Sequence, residues 1–214
     1  MRLARPGLPT VATVALCAAA AFFFSALAGA IFLLLLCGAA WFYRDPDRTP
    51  PEDEGAWVSP ADGRVVEVVE GAVDPYAGQT TKIGIFMNGT DVHVNRFPAG
   101  GTVEDLRYVP GKKWFVIAPK SSLENERLYV GIMTEQGRTT LVQIAGIMAR
   151  RIVCQVRRGD RLARGDRYGM IKLGSKVDVY LPAGVRCAVK VGDVVRAGES
   201  KIGVVDRCRS GEGE

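Results

Sequence analysis

The chain holds a single histidine, His93, and that scarcity excludes a good deal. The usual zinc site draws several ligands from histidine and paired cysteine, and this sequence offers neither. A metallopeptidase, which needs several histidines, is nearly excluded. The five cysteines, Cys17, Cys37, Cys154, Cys187 and Cys208, are odd in number and scattered, with no Cys-x-x-Cys spacing. They do not describe a disulfide framework and fit a reducing, cytoplasmic compartment in which free thiols act as small hydrophobes. Charge is missing altogether from residues 9–43. The net charge of +5 comes largely from that end: of the 28 basic residues, Arg2, Arg5 and Arg44 are the only charged side chains in the first 44 positions, leaving 25 basic against 23 acidic beyond them. Such a balance gives no nucleic-acid footprint. Long amphipathic helices are absent too, which argues against a doubly wound α/β fold.

The uncharged stretch is rich in Ala, Leu and Phe, with Phe22–Phe24 and Ile31–Leu36 as its most apolar runs. As one helix, its 35 residues would extend about 52 Å against a hydrocarbon core of about 30 Å. That is long for one upright span and short for two full ones. A shallow helical hairpin bending at Ser25–Gly29 would place Arg2, Arg5, Arg44 and Arg48 on one side, the cytoplasmic one; a single tilted helix is the alternative. Trp41, Phe42 and Tyr43 fall where an interfacial aromatic belt is expected, and the basic flanks suit an anionic membrane surface. A secretory signal peptide cut after Ala26-Leu27-Ala28 would turn polar there, whereas this run stays apolar for another fifteen residues. Residues 1–44 therefore read as a membrane anchor and residues 45–214 as a soluble domain of ordinary size.

After a linker with three prolines, Arg44–Gly55, the pattern changes to short β-branched runs: Val65–Val69, Lys82–Phe86, Leu128–Thr134, Thr139–Ile144, Ile152–Val156, Val177–Leu181 and Ile202–Val205. Gly, Pro and Asp punctuate them. A β-rich sandwich or barrel behind a helical anchor is the expected fold. Turn glycines in Ala183–Val205 give that stretch the look of half a lipoyl or biotinyl barrel. This opens a carrier module as a rival class, although no Met-Lys-Met or Asp-Lys-Ala stands at a turn to carry the modification.

Three places can carry chemistry. His93 lies in Asp-Val-His-Val-Asn-Arg at 91–96; on extended backbone, Asp91, His93 and Asn95 would share one face. A lone histidine on a strand more often serves structure than catalysis. Asp62, in Ser-Pro-Ala-Asp-Gly at 59–63, precedes a valine-rich run, and Asp-Gly is a turn signal in its own right. Ser175 follows Gly174, which can adopt strained backbone and admit close approach to its carbonyl. Those are the demands of attack by Ser175 on its own preceding peptide bond; an ordinary turn is the alternative.

These motifs, with Asn-Glu-Arg at 125–127, Ala-Arg-Arg-Ile-Val at 149–153, Gly-Met-Ile-Lys-Leu-Gly-Ser at 169–175 and Trp-Phe-Tyr-Arg-Asp-Pro at 41–46, stand in the order found in phosphatidylserine decarboxylase proenzymes. The chain resembles the short, pyruvoyl-dependent bacterial and archaeal type from about Phe42 to Val205, with Leu173 where Phe is often found. The resemblance implies a carboxy-lyase that converts phosphatidylserine to phosphatidylethanolamine and carbon dioxide. It implies self-cleavage between Gly174 and Ser175, with His93 as base and Asp62 as its partner; Asp91 is a competing local choice for that partner. It also implies a covalent pyruvoyl cofactor made from Ser175, to which the substrate amine condenses as a Schiff base, and a heterodimer of a β chain, residues 1–174, and an α chain, residues 175–214, at the cell membrane. Lys112 and Lys113, beside Trp114 and Phe115, and the pair Arg150 and Arg151 are candidates for the lipid head group, or else solvated surface.

Overall fold

The computed structural model describes residues 2–112, 114, 124–146, 151–172 and 174–205; Lys113, Phe115, Arg150 and Leu173 lie outside them. The apolar stretch forms two helices, α1 (Leu8–Phe24) and α2 (Ala26–Phe42), broken at Ser25 alone. Ser25 takes extended backbone and caps α2, its Oγ facing the Ala28 N–H at 3.5 Å. The helices fold back on each other. A hydrogen atom in place of a side chain at Gly29 leaves room for the Phe22 ring of the facing helix. Their outer faces are bare and apolar, with Phe23 94% and Phe24 90% exposed. The segment Arg5–Phe24 is long and apolar enough to cross a membrane. At the open end of this hairpin, Arg2–Leu3 pairs antiparallel with Arg44–Asp45.

The remainder is β-rich, as the β-branched runs predict. Eight antiparallel strands form the main sheet in the order Arg161–Leu162, Gly101–Val109, Arg127–Thr134, Gly137–Ala145, Ser175–Leu181, Gly78–Met87, Gly63–Asp74 and Val194–Val195. One three-stranded sheet runs Ile152–Cys154, Arg167–Ile171, Val94–Arg96; another runs Val185–Cys187, Lys201–Val205, Ala56–Val58. The barrel alternative is corrected here: the sheets stay open. The outermost strands of the large sheet have only two residues each and do not pair with one another, so among the described residues nothing closes the cylinder. The carboxy-terminal stretch Ala183–Val205 lends its strands to two different sheets.

The core lies where these sheets face each other. Trp57, Ile83, Ile85, Phe97, Tyr168, Val177, Val179, Leu181 and Ile202 are all buried in one cluster, each large side chain contributing about 1.5–3 kcal/mol by leaving water. Alternation along Ser175–Leu181 sends Ser175, Val177, Val179 and Leu181 inward and Lys176, Asp178 and Tyr180 to the opposite face. That second face is buried as well. Lys176 and Asp178 are 3% and 2% exposed, and Lys176 Nζ meets Glu67 Oε2 at 2.6 Å and lies 3.1 Å from Asp178 Oδ1. Glu67 also pairs with Lys82 at 2.7 Å.

Candidate active site

Gly174 and Ser175 sit at the start of the fifth strand of eight. Gly174 has φ +52°, a left-handed conformation that favours glycine. Ser175 is flanked by Met87 on one side and Ala145 on the other, so its backbone is fixed by ladders in both directions. Its side chain is fully buried, yet among the described residues Oγ has no hydrogen-bond partner. Leaving a buried hydroxyl unsatisfied costs about 1–3 kcal/mol, and groups left in that state call for a functional account.

The chain leaves Met87, the register partner of Ser175, through a turn held by Asn88 and Asp91: Asp91 N–H donates to the Asn88 carbonyl, and Asn88 N–H to Asp91 Oδ2 at 2.7 Å. His93 follows at once. It stands just before the strand Val94–Arg96, not within it. The ring is fully buried. Nδ1 lies 2.8 Å from the Asp91 carbonyl oxygen; a carbonyl can only accept, so Nδ1 carries the hydrogen and the neutral ring presents a lone pair at Nε2. Nε2 is buried and, among the described residues, unpartnered. Burial holds the imidazole pKa below its ordinary value, outweighing the Asp91 carbonyl and carboxylate, which raise it; Arg44 adds to the lowering. His93 and Ser175 are thus brought to one end of the sheet, each with a bare reactive atom, and are not hydrogen-bonded to each other.

Asp62 is placed differently from the expected triad geometry. Its Oδ1 accepts from the Ala197 N–H at 2.7 Å and its Oδ2 from Arg48 at 2.9 Å; the imidazole hydrogen bond goes to the Asp91 carbonyl. Burial pushes the Asp62 carboxyl above its ordinary value, against the opposing pull of the Ala197 N–H and Arg48, and Asp91 pushes it further up. Asp62 precedes Gly63, whose φ is +145° and where a Cβ would sit 2.0 Å from the Phe86 carbonyl oxygen. The conformational reading of the Asp-Gly pair therefore holds alongside any chemical one.

Sequence reasoning overlooked Gln143, which bonds Asn95, a residue already set beside His93 by the 91–96 motif. Gln143 Nε2 donates to Asn95 Oδ1 at 2.7 Å, and Asn95 Nδ2 approaches Met87 Sδ at 3.5 Å. The one available signal was a glutamine inside the apolar run 139–145. Asn125, from the Asn-Glu-Arg motif, is fully buried and donates to the Ala145 and Trp114 carbonyls, both at 2.9 Å, while accepting from the Trp114 N–H; it clamps the residue opposite Ser175. Of the head-group candidates, Lys112 is exposed and pairs with Glu124 at 3.5 Å. Arg151 is exposed, and its carbonyl accepts from Lys172 N–H. Neither side chain contacts His93 or Ser175.

The buried, unpartnered Ser175 hydroxyl and His93 Nε2 are groups of the kind an enzyme uses as nucleophile and base. The profile of the family described as phosphatidylserine decarboxylase matches residues 38–203. Three similar proteins, each named phosphatidylserine decarboxylase proenzyme, agree. The protein of Pelobacter propionicus is 48% identical over 88% of this chain and 84% of its own length. That of Solidesulfovibrio magneticus is 46% identical over 92% of each, and that of Nitratidesulfovibrio vulgaris 50% identical over 79% of each. The chain belongs to the phosphatidylserine decarboxylase family, and it is a decarboxylase.

Proposed function

We propose that this protein makes phosphatidylethanolamine from phosphatidylserine after cutting itself between Gly174 and Ser175. The observation that carries the reading is the Ser175 hydroxyl: buried, unpartnered, and directly after a glycine held in left-handed backbone. His93 Nε2 takes the hydroxyl proton, and Oγ attacks the Gly174 carbonyl, so that an ester replaces the peptide bond. Loss of the Ser175 α-proton to His93 or a second base then expels the Gly174 carboxylate by β-elimination. The dehydroalanine left at 175 tautomerises, and water releases its nitrogen as ammonia. Asp62, held by Arg48 and Ala197, acts in this conformation through its charge and by fixing the 59–63 turn. An Asp62 bond to the imidazole would require release from Arg48.

A pyruvoyl group fits position 175, because the strand holds that residue buried with nothing bonded to its side chain. The group supplies an electron sink for loss of carbon dioxide, the part pyridoxal phosphate plays elsewhere. His93 is the proton donor to the α-carbon once charged, and its burial excludes competing water. The α chain 175–214 stays with the β chain 1–174 through ladders on both sides of Ser175–Leu181. The hairpin, bare and apolar outside, with Arg2, Arg5 and Arg44 at its open end, supports attachment to the cytoplasmic face of an anionic membrane; Arg48, expected on the same side, is instead drawn into ion pairs with Asp62 and Glu199. Lys112, Lys113, Arg150 and Arg151 remain proposed contacts for the lipid phosphate.

Intact-mass measurement of the purified protein tests this. The wild type should yield two chains, one ending at Gly174 and the other beginning with a pyruvoyl group in place of Ser175; Ser175→Ala and His93→Ala should each yield one. A single uncut wild-type chain in a folded, membrane-bound preparation overturns the proposal.

A further inference from the structure

The last turn of α2 reaches the candidate active site. The Phe42 ring lies over the His93 imidazole, with centroids 4.4 Å apart and planes inclined at 42°. Around that contact the open end of the hairpin is tied to the segments that carry both reactive residues. Ala4 and Tyr43 pack in one buried cluster with Val92, Val94 and Met170. Arg44 donates to the Thr90 carbonyl at 2.5 Å and Lys172 to the Pro6 carbonyl at 3.2 Å. Ala4 N–H bonds the Tyr43 carbonyl across the hairpin base at 2.8 Å.

From this geometry we infer that Phe42 is a positioning residue for the self-cleavage reaction, so that the hairpin forms a wall of the active site as well as an attachment. The inference rests on the reading of His93 as the base. One hydrogen bond, Nδ1 to the Asp91 carbonyl, fixes one edge of the imidazole but leaves it free to swing about that bond. An aromatic ring against its face removes the swing and directs Nε2 to one place. It also keeps water off the ring, which favours the uncharged form that can accept a proton. The charged groups that act on this imidazole are Asp91, from its own turn, and Arg44, from the hairpin exit; Phe42 contributes no charge, only cover and contact.

The sole histidine makes this measurable residue by residue: in protein labelled at histidine, every imidazole signal belongs to His93. In full-length Ser175→Ala protein in detergent, adding Phe42→Ala should move the His93 titration midpoint upward, toward the ordinary value of about 6.5. In otherwise wild-type protein, Phe42→Ala should slow self-cleavage at pH 7 about tenfold, since loss of positioning and of the correct protonation state both act on the proton transfer. Phe42→Tyr, which keeps the ring, should restore the rate. Phe23→Ala, on the bare outer face of α1, should leave the rate unchanged, which separates the contact from membrane affinity. If Phe42→Ala leaves both midpoint and rate at wild-type values, the inference is overturned. Should Phe42→Ala fail to fold, Phe42→Leu decides: it keeps apolar bulk without the flat ring, and wild-type rates in that variant would equally overturn it. Failure of the underlying reading looks different: the wild type stays uncut, or His93→Ala is cut normally, whatever stands at position 42.

Discussion

Replacing Lys176 with alanine removes the ammonium from a pair of carboxylates that differ sharply in their access to water. Glu67 keeps Lys82 at 2.7 Å and is a third exposed. Asp178, 2% exposed, loses the cation at 3.1 Å and has no comparable replacement. Burial alone would lower the Lys176 pKa, but Asp178 and Glu67 raise it above the ordinary lysine value, so the lost group is a full charge. Breaking a buried pair by removing one partner costs about 3–5 kcal/mol. Burial holds the Asp178 carboxyl above its ordinary value against the pull of Lys176 and Lys82; proton uptake by that carboxyl and the remaining pull of Lys82 put the expectation near the lower end, about 3 kcal/mol. For a chain of this size that is a fall in thermal midpoint of about 6–12 °C. The comparison is made in the Ser175→Ala background, which the proposed mechanism leaves as one chain, by urea unfolding in detergent. A second protein, Lys176→Met with Asp178→Leu, should recover most of the loss, because apolar residues of similar volume need no counter-charge. A loss below about 1 kcal/mol in the single variant, the range of exposed pairs, or a double variant no better than the single, would refute the claim that this face is closed to water.

Asn125→Ala should cost about 1–3 kcal/mol by stranding the buried Ala145 and Trp114 carbonyls and should slow self-cleavage, because Ala145 is the register partner of Ser175; unfolding curves and the rate of chain appearance by mass check the two parts. Arg48→Leu should make stability more sensitive to pH. The Asp62 carboxyl is raised above its unfolded value of about 3.8, so its contribution is fully present below that value and is lost as pH rises through the folded one. Removing Arg48, which opposes the rise, extends the loss upward, and the variant should fall further behind the wild type at pH 7 than at pH 4.5 in paired urea titrations.

The parts of this molecule that rest on local pattern were legible in its sequence. A helical break near Ser25 follows from counting uncharged residues against bilayer thickness, and the valine-rich runs mark the strands, although Val65–Val69 extends in fact to Gly63–Asp74. Gly174 and Ser175 stand out because glycine licenses the backbone that the proposed self-cleavage would need. What stayed hidden depends on contacts across long separations. Alternation alone assigns Lys176 and Asp178 to a solvent face, and only Glu67 and Lys82, more than ninety residues away in the chain, explain why charge can be buried there. Arg48 claims Asp62 from a proline-rich linker that shows no periodicity. Phe42 reads as the edge of an interfacial belt, and nothing in its neighbours points to His93.

The position of Ser175 at the head of an interior strand has one more consequence. A backbone cut there, as proposed, frees a new chain terminus without freeing the strand, which stays zipped to Gly78–Met87 and Gly137–Ala145 along its length. The two pieces could separate only by tearing the middle out of the main sheet. On that proposal, exchange of old small chains for new ones would be closed off: each molecule would generate its own reactive terminus once, and one chemically spoiled would have to be replaced whole.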